Sequence, residues 1–263
     1  MQKKSRAVAK SSDTFRPQTI VEHLNELRKR ILISLASFFG LLLVLAGLPS
    51  FNASFGTRLM KLLQEYLLKN INGAEKLNLV FLDPLEPVFT VLKLSALAAF
   101  VILAPLFIYQ LYAYIKPAFT KKTRSYAGTV IFGAQILFLL GGAFSLYFLI
   151  PASFNILISY GMTAGSTPML SMGKFFDMFV WMFLLFTLPF ELPVVIGVLA
   201  KAGIVTGKML SKIRKPAYLA LAIFSAAVTP DPTPFSMLIL WALLLILFEF
   251  GVLLAHLLKK GGN

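Results

Sequence analysis

Between Ile31 and Leu258 the chain is dominated by unbroken apolar runs, several of them near the ~20 residues a helix needs to cross a bilayer. The runs do not alternate apolar with polar at every second residue, which argues against barrel strands and for helices. They fall at residues 31–51, 88–115, 126–150, 175–200, 216–228 and 235–258. The fifth is too short to span without tilt, thinning or shelter from its neighbours. Thr229-Pro230-Asp231-Pro232-Thr233-Pro234 follows it and enforces a turn, since proline lacks the amide donor a helix needs. We read runs five and six as two spans joined by a tight hairpin, with one broken span as the alternative. The expected fold class is all-α: six transmembrane helices, the fifth and sixth short, in one integral membrane unit. Residues 1–30 form a basic leader, 31–258 the bundle and 259–263 a tail.

Composition agrees. Of 263 residues, 58% are hydrophobic and 14% charged, against about 45–50% and about 25% in soluble domains. A typical soluble enzyme, a disordered chain and a collagen-like repeat are excluded. No cysteine is present, so disulfides and thiolate chemistry are excluded too. His23 and His256 have no metal-ligand neighbour at helical spacing, and we expect neither metal nor cofactor. The net charge of +14 suits an anionic membrane surface or an anionic partner rather than nucleic acid, because the cations are scattered over short loops.

Nineteen of the 25 Lys and Arg lie in residues 1–30, 116–124, 201–215 and 259–260. The positive-inside rule then puts both termini in the cytoplasm, a parity that six spans satisfy. Val44-Leu45-Ala46 resembles a cleavage site, but its charged leader and apolar run are too long for a signal peptide. The outward loop 52–87 carries Leu59, Leu62, Leu63, Tyr66 and Leu67 at helical spacing, which predicts a short helix on the outer interface.

Few side chains could carry chemistry. In Ile20-Val21-Glu22-His23-Leu24-Asn25-Glu26-Leu27-Arg28-Lys29-Arg30 the apolar residues share one helical face, and Glu22 and Glu26 share another. The plain reading is an interfacial helix with a Glu26–Arg30 pair. The sharper one is a carboxylate offered to a cationic partner, best of all a guanidinium. Glu191 sits inside a span between Pro189 and Pro193, where a carboxyl is functional by default and the prolines free backbone carbonyls. A hydrogen-bonded helix clamp is the structural alternative. Glu249 is a second carboxyl in a late span, placed to snorkel to the inner surface. Lys174 and Asp177 are spaced for an interfacial ion pair, and Lys93 for snorkelling outward. Residues 203–209 imitate a phosphate loop, but their glycines are too close and Met209 replaces the hydroxyl, so they read as a helix stop. No catalytic constellation appears, and no enzyme is expected.

Several segments in order resemble the TatC family, the multispanning receptor of the twin-arginine protein translocase. They are His23-Leu24-Asn25-Glu26-Leu27-Arg28-Lys29-Arg30, Pro84-Leu85-Glu86-Pro87 with Phe89, Pro105 through Tyr109-Gln110, Pro117-Ala118-Phe119, Phe190-Glu191-Leu192-Pro193, Thr229-Pro230-Asp231 and Phe248-Glu249. The resemblance implies a TatC-like concave bundle in the cytoplasmic (inner) membrane. It implies binding of twin-arginine signal peptides on folded cargo, and assembly with the single-span proteins TatA and TatB in a complex with several copies. Export would be driven by the proton-motive force. Glu26 would meet the arginine pair, with Glu22 and Arg28 beside it. Glu191 would be the polar group of the concave face, and Pro84, Glu86 and Phe89 would shape the outer loop and its partner contacts, with Asp231 in the last hairpin. Pro105, Pro189 and Pro193 would kink their spans. Two positions depart from the pattern. Thr123 stands where relatives carry a second signal-binding Glu, and Met237 where many carry Gln. A proton-coupled small-solute carrier using Glu191 is the competing function, and a purely structural scaffold is the third.

Overall fold

The computed structural model describes residues 20–48, 50, 53–71, 78–115, 127–163, 169–229 and 234–260. The chain opens with α1 (Ile20–Gly47) and α2 (Phe55–Asn70), then β1 (Asn78–Val80) and α3 (Glu86–Ile115). Next come α4 (Ala127–Phe144), a π-helical turn at Ser145–Leu149 and α5 (Ile150–Thr163). After β2 (Met169–Ser171) follow α6 (Met172–Thr187), a 3-10 turn at Leu188–Glu191 and α7 (Leu192–Lys201). The chain then forms α8 (Gly207–Lys212), α9 (Arg214–Val228) and α10 (Pro234–Lys260). Among the described residues, five helical paths are long and apolar enough to cross a membrane. The 15-residue α9 is the short fifth run, packed antiparallel on α10, whereas the sixth run is not short, since α10 extends over 27 residues.

Where the boundaries differ from expectation, local chemistry gives the reason. The third span does not stop at Ile150, because its helix continues to Thr163. Pro151 has no amide to donate, and the π-turn just before it widens the ladder, with Ile150 N–H bonding Ser145 O. At Pro189 and Pro193 the α-helix tightens into the 3-10 turn. The Pro189 carbonyl, left without a donor by Pro193, accepts from Leu192 N–H instead. Pro105, by contrast, lies inside an unbroken α3. The stop after α7 is also explicit. Gly203 takes φ 77°, Ile204 N–H reaches back to Leu199 O, and Gly203 N–H to Ala200 O. Thr206 then caps α8, its Oγ1 accepting from Met209 N–H at 3.2 Å.

The core is aromatic. Phe154, Phe175, Phe176, Phe179 and Phe186 are fully buried among Leu94, Leu149 and Leu240, tying α3, α5, α6 and α10 together. Helices in lipid associate by close packing rather than by the hydrophobic effect, so small residues mark the tightest contacts. A Cβ on Gly251 would meet Ile196 Cδ1 at 2.5 Å, which is why α7 and α10 approach so closely. The helix α2 forms where the periodicity puts it, but it does more than lie on an interface. Its Leu67 is fully buried, and Gly56 seats the helix on α3 against Ser95 and Val91.

Candidate functional site

Three polar sites distinguish this bundle from an inert one. The first is at the Glu26 end, where α1 packs on α3. Arg30 donates to Glu26 Oε1 from Nε at 3.0 Å and Nη2 at 2.5 Å, and from Nη1 to Gln110 Oε1 of α3 at 3.0 Å. Glu N-terminal to Arg at this spacing is the favourable order on a helix. His23 stacks on Tyr114 of α3, ring centroids 4.4 Å apart, and fixes the entry of α1 against the bundle. A groove of about 260 Å³ opens beside these residues, between Leu27, Arg30 and Ser34 of α1 and Phe107, Gln110 and Tyr114 of α3. The plain expectation of a Glu26–Arg30 pair is therefore met. Glu22 is exposed one turn earlier on the same helix. Arg28 lies on another exposed face, with Asn25 and Lys29. Thr123 lies outside the described residues.

The second site is Glu191. The 3-10 turn presents it to a cavity of about 240 Å³ whose other walls are mostly apolar, among them Phe107, Ile108 and Leu111 of α3, Ala134 of α4 and Val194 and Val198 of α7, with Tyr112 of α3 the other polar residue. Glu191 Oε1 is buried and has no hydrogen-bond partner among the described residues. A clamp would bond its carboxyl to a neighbouring helix, and at this atom no such bond exists. Phe107 and Leu111 belong to both the cavity and the α1–α3 groove, so one rib of α3 separates them.

The third site is at the opposite, Glu86, end. Glu86 accepts from Ser171 Oγ at 2.7 Å, from Leu82 N–H at 3.4 Å and from Gly173 N–H at 3.5 Å. Beside it β1 and β2 pair in parallel, Asn78 with Met169 through Val80 with Ser171. The two connections at this end thus form one cap, which no sequence motif announces. Pro84 lies in the turn before α3, and Phe89 is exposed on the first turn. Asp231 lies outside the described residues.

Three expectations need correction. Asp177 pairs with Lys93 of α3, not with Lys174. Consequently Lys93 does not simply snorkel to the surface. Both residues lie near the Glu86 ends of their helices, and their pairing ties α3 to α6. Nor is Glu249 a free snorkelling carboxylate. It accepts from Arg214 Nη2 at 2.7 Å and from the Tyr218 hydroxyl, joining α9 to α10. Trp241 Nε1 donates to Tyr218 O at 3.1 Å and Ser225 Oγ to Met237 O at 2.7 Å, which completes the hairpin.

Five long apolar helical paths among the described residues, with a buried carboxyl oxygen facing a cavity between them, define a multi-pass helical membrane protein. The chain belongs to the TatC family. The family model described as "Sec-independent protein translocase protein (TatC)" matches residues 22–242. The Sec-independent protein translocase protein TatC of Aquifex aeolicus is 31% identical over 92% of this chain and 96% of its own length. That of Carboxydothermus hydrogenoformans is 31% identical over 93% and 95%. A crystal structure of the twin arginine translocase receptor TatC superposes with a TM-score of 0.76 at 28% identity, covering 90% of this chain and all of that one. These likenesses favour protein translocation over the solute-carrier alternative.

Proposed function

We propose that this chain is the signal-peptide receptor and scaffold of a twin-arginine translocase that exports folded proteins, using the proton-motive force. The observation that carries the reading is the Glu26 carboxylate, held by Arg30, which bonds Gln110 of α3 and lines the groove between α1 and α3. A guanidinium pairs with a carboxylate through a two-donor fork that an ammonium cannot match. The groove beside it suits the apolar part of a signal. Thr123 offers no second carboxylate, and Glu22 is the other acidic group on that helix face.

The receptor lies in the cytoplasmic membrane with both termini in the cytoplasm, the side that holds most of its Lys and Arg. TatA- and TatB-type single-span proteins and further copies of the chain are its partners. The hairpin of the short α9 with α10, and the cap with Pro84, Glu86 and Phe89, are the surfaces assigned to them. Glu191 is the polar group such a partner helix meets in the membrane. Export of a folded reporter in cells lacking their own receptor tests this. Full-length chain restores export of an Arg-Arg reporter but not a Lys-Lys one, and Glu26→Ala abolishes it. Equal export of both reporters overturns the reading.

A further inference from the structure

The guanidinium of Arg30 already sits where the guanidinium of a signal would. Its Nε and Nη2 present a two-donor edge to Glu26, yet both bonds fall on the same oxygen, Oε1. The i,i+4 spacing along α1 limits how squarely the two groups can face each other. An arginine arriving on a separate chain is not so tethered and can engage both carboxylate oxygens in parallel, the stronger arrangement. An ammonium makes one point contact and gains nothing over Arg30. The third donor of Arg30, Nη1, is bound to Gln110 Oε1 on α3, and so the side chain has an anchor that does not depend on Glu26.

We propose that Arg30 is an internal occupant of the Glu26 site: a signal binds by guanidinium exchange, and Gln110 retains the displaced Arg30. The proposal rests on the reading of Glu26 as the signal's anchor. Its consequence is a threshold. An occupied carboxylate weakens the apparent affinity of every ligand by the fraction of molecules in which it is open. The ratio between an Arg-Arg and a Lys-Lys signal stays the same, while both shift toward weaker binding. Peptides with scattered lysines then fall below useful occupancy, and a genuine arginine pair does not. For a partly exposed ion pair the weakening is up to about fivefold.

The test is fluorescence anisotropy of labelled Arg-Arg and Lys-Lys signal peptides on the full-length chain in detergent micelles. Arg30→Gln is expected to tighten both peptides by one common factor, up to about fivefold. Arg30→Lys, which holds Glu26 less well, is expected to give about twofold. Lys29→Gln removes the same charge from an exposed neighbouring position and is expected to stay under about twofold at physiological salt, where the Debye length is short. In a Glu26→Gln background the Arg30→Gln gain disappears. Weaker Arg-Arg binding in Arg30→Gln overturns the proposal, because it marks Arg30 as a positioning residue for Glu26. So does a gain no larger than that of Lys29→Gln. Should Arg30→Gln fail to fold, Arg30→Lys decides alone, and its failure to tighten binding overturns the proposal. Unchanged wild-type affinity in Glu26→Gln is a separate result: it removes the anchor itself, and the proposal with it.

Discussion

The joint between α9 and α10 can be broken at one carboxyl. Glu249 accepts from Arg214 Nη2 at 2.7 Å and from the Tyr218 hydroxyl, and the side chains of Arg214 and Glu249 are 43% and 38% exposed. A hydrogen bond to a charged group contributes about 1.5–3 kcal/mol when sheltered. Exposure of this degree lowers the pair to about 1 kcal/mol, with the Tyr218 bond adding about 1 more. Glu249→Leu also strands the Arg214 charge, whose Nε is buried without a partner among the described residues. The expected loss is therefore about 2 kcal/mol. In a chain of this size that lowers the apparent melting temperature by about 4–8 °C. The assay is thermal unfolding in one detergent at a fixed scan rate, because membrane proteins unfold irreversibly and only matched scans compare. Glu249→Gln keeps an acceptor and is expected to lose about half as much. Arg214→Met is the decisive partner. Together with Glu249→Leu it removes both charges and restores about 1 kcal/mol relative to the sum of the singles. Strict additivity of the two would refute the reasoning, since it would mean that the pair contributes no coupling.

Further expectations follow from other contacts. Lys93→Met alone leaves Asp177 without its partner and lowers stability by about 1 kcal/mol, since both side chains are about half exposed, whereas Lys93→Met with Asp177→Leu recovers most of that loss in matched melts. Gly207→Val would push its Cβ into the His256 ring and is expected to loosen α8 from α10 by about 1–3 kcal/mol, read as faster proteolysis of the 201–215 connection. Glu86→Ala removes the acceptor shared by Leu82, Ser171 and Gly173, and hydrogen exchange of the β1 and β2 amides should quicken about tenfold or more. Glu191→Gln is expected to leave the melting temperature within about 2 °C, because Oε1 has no bond to lose, while reducing export of the folded reporter.

Much of this molecule was legible in its sequence. The apolar runs give the number and approximate places of the helices, because in lipid each backbone segment must satisfy its own hydrogen bonds. Glu26, Glu191 and the Pro189–Pro193 turn were visible for the same reason, as polar or donor-free residues where neither is cheap. What stayed hidden was pairing between segments. Lys93 and Asp177 are 84 residues apart and Arg214 and Glu249 are 35 apart, and a one-dimensional pattern favours the local Lys174 instead. Depth offers the missing signal. Opposite charges at similar distances from the ends of two neighbouring spans are the natural pair. The β1–β2 cap was invisible, since three-residue strands carry no period to read. The extension of the third helix past Pro151 was missed because a proline ordinarily ends a helix, and only the π-turn lets this one pass.

The central claim is that this chain reads a pair of arginines through Glu26. Photo-crosslinking of a twin-arginine signal peptide to the detergent-solubilised full-length chain tests it most directly, with a Lys-Lys signal and with Glu26→Ala and Thr123→Glu alongside. The account expects a crosslink with the Arg-Arg signal, none with Lys-Lys, loss in Glu26→Ala and a stronger crosslink in Thr123→Glu. Equal crosslinking of both signals, or an undiminished crosslink in a folded Glu26→Ala protein, would contradict it.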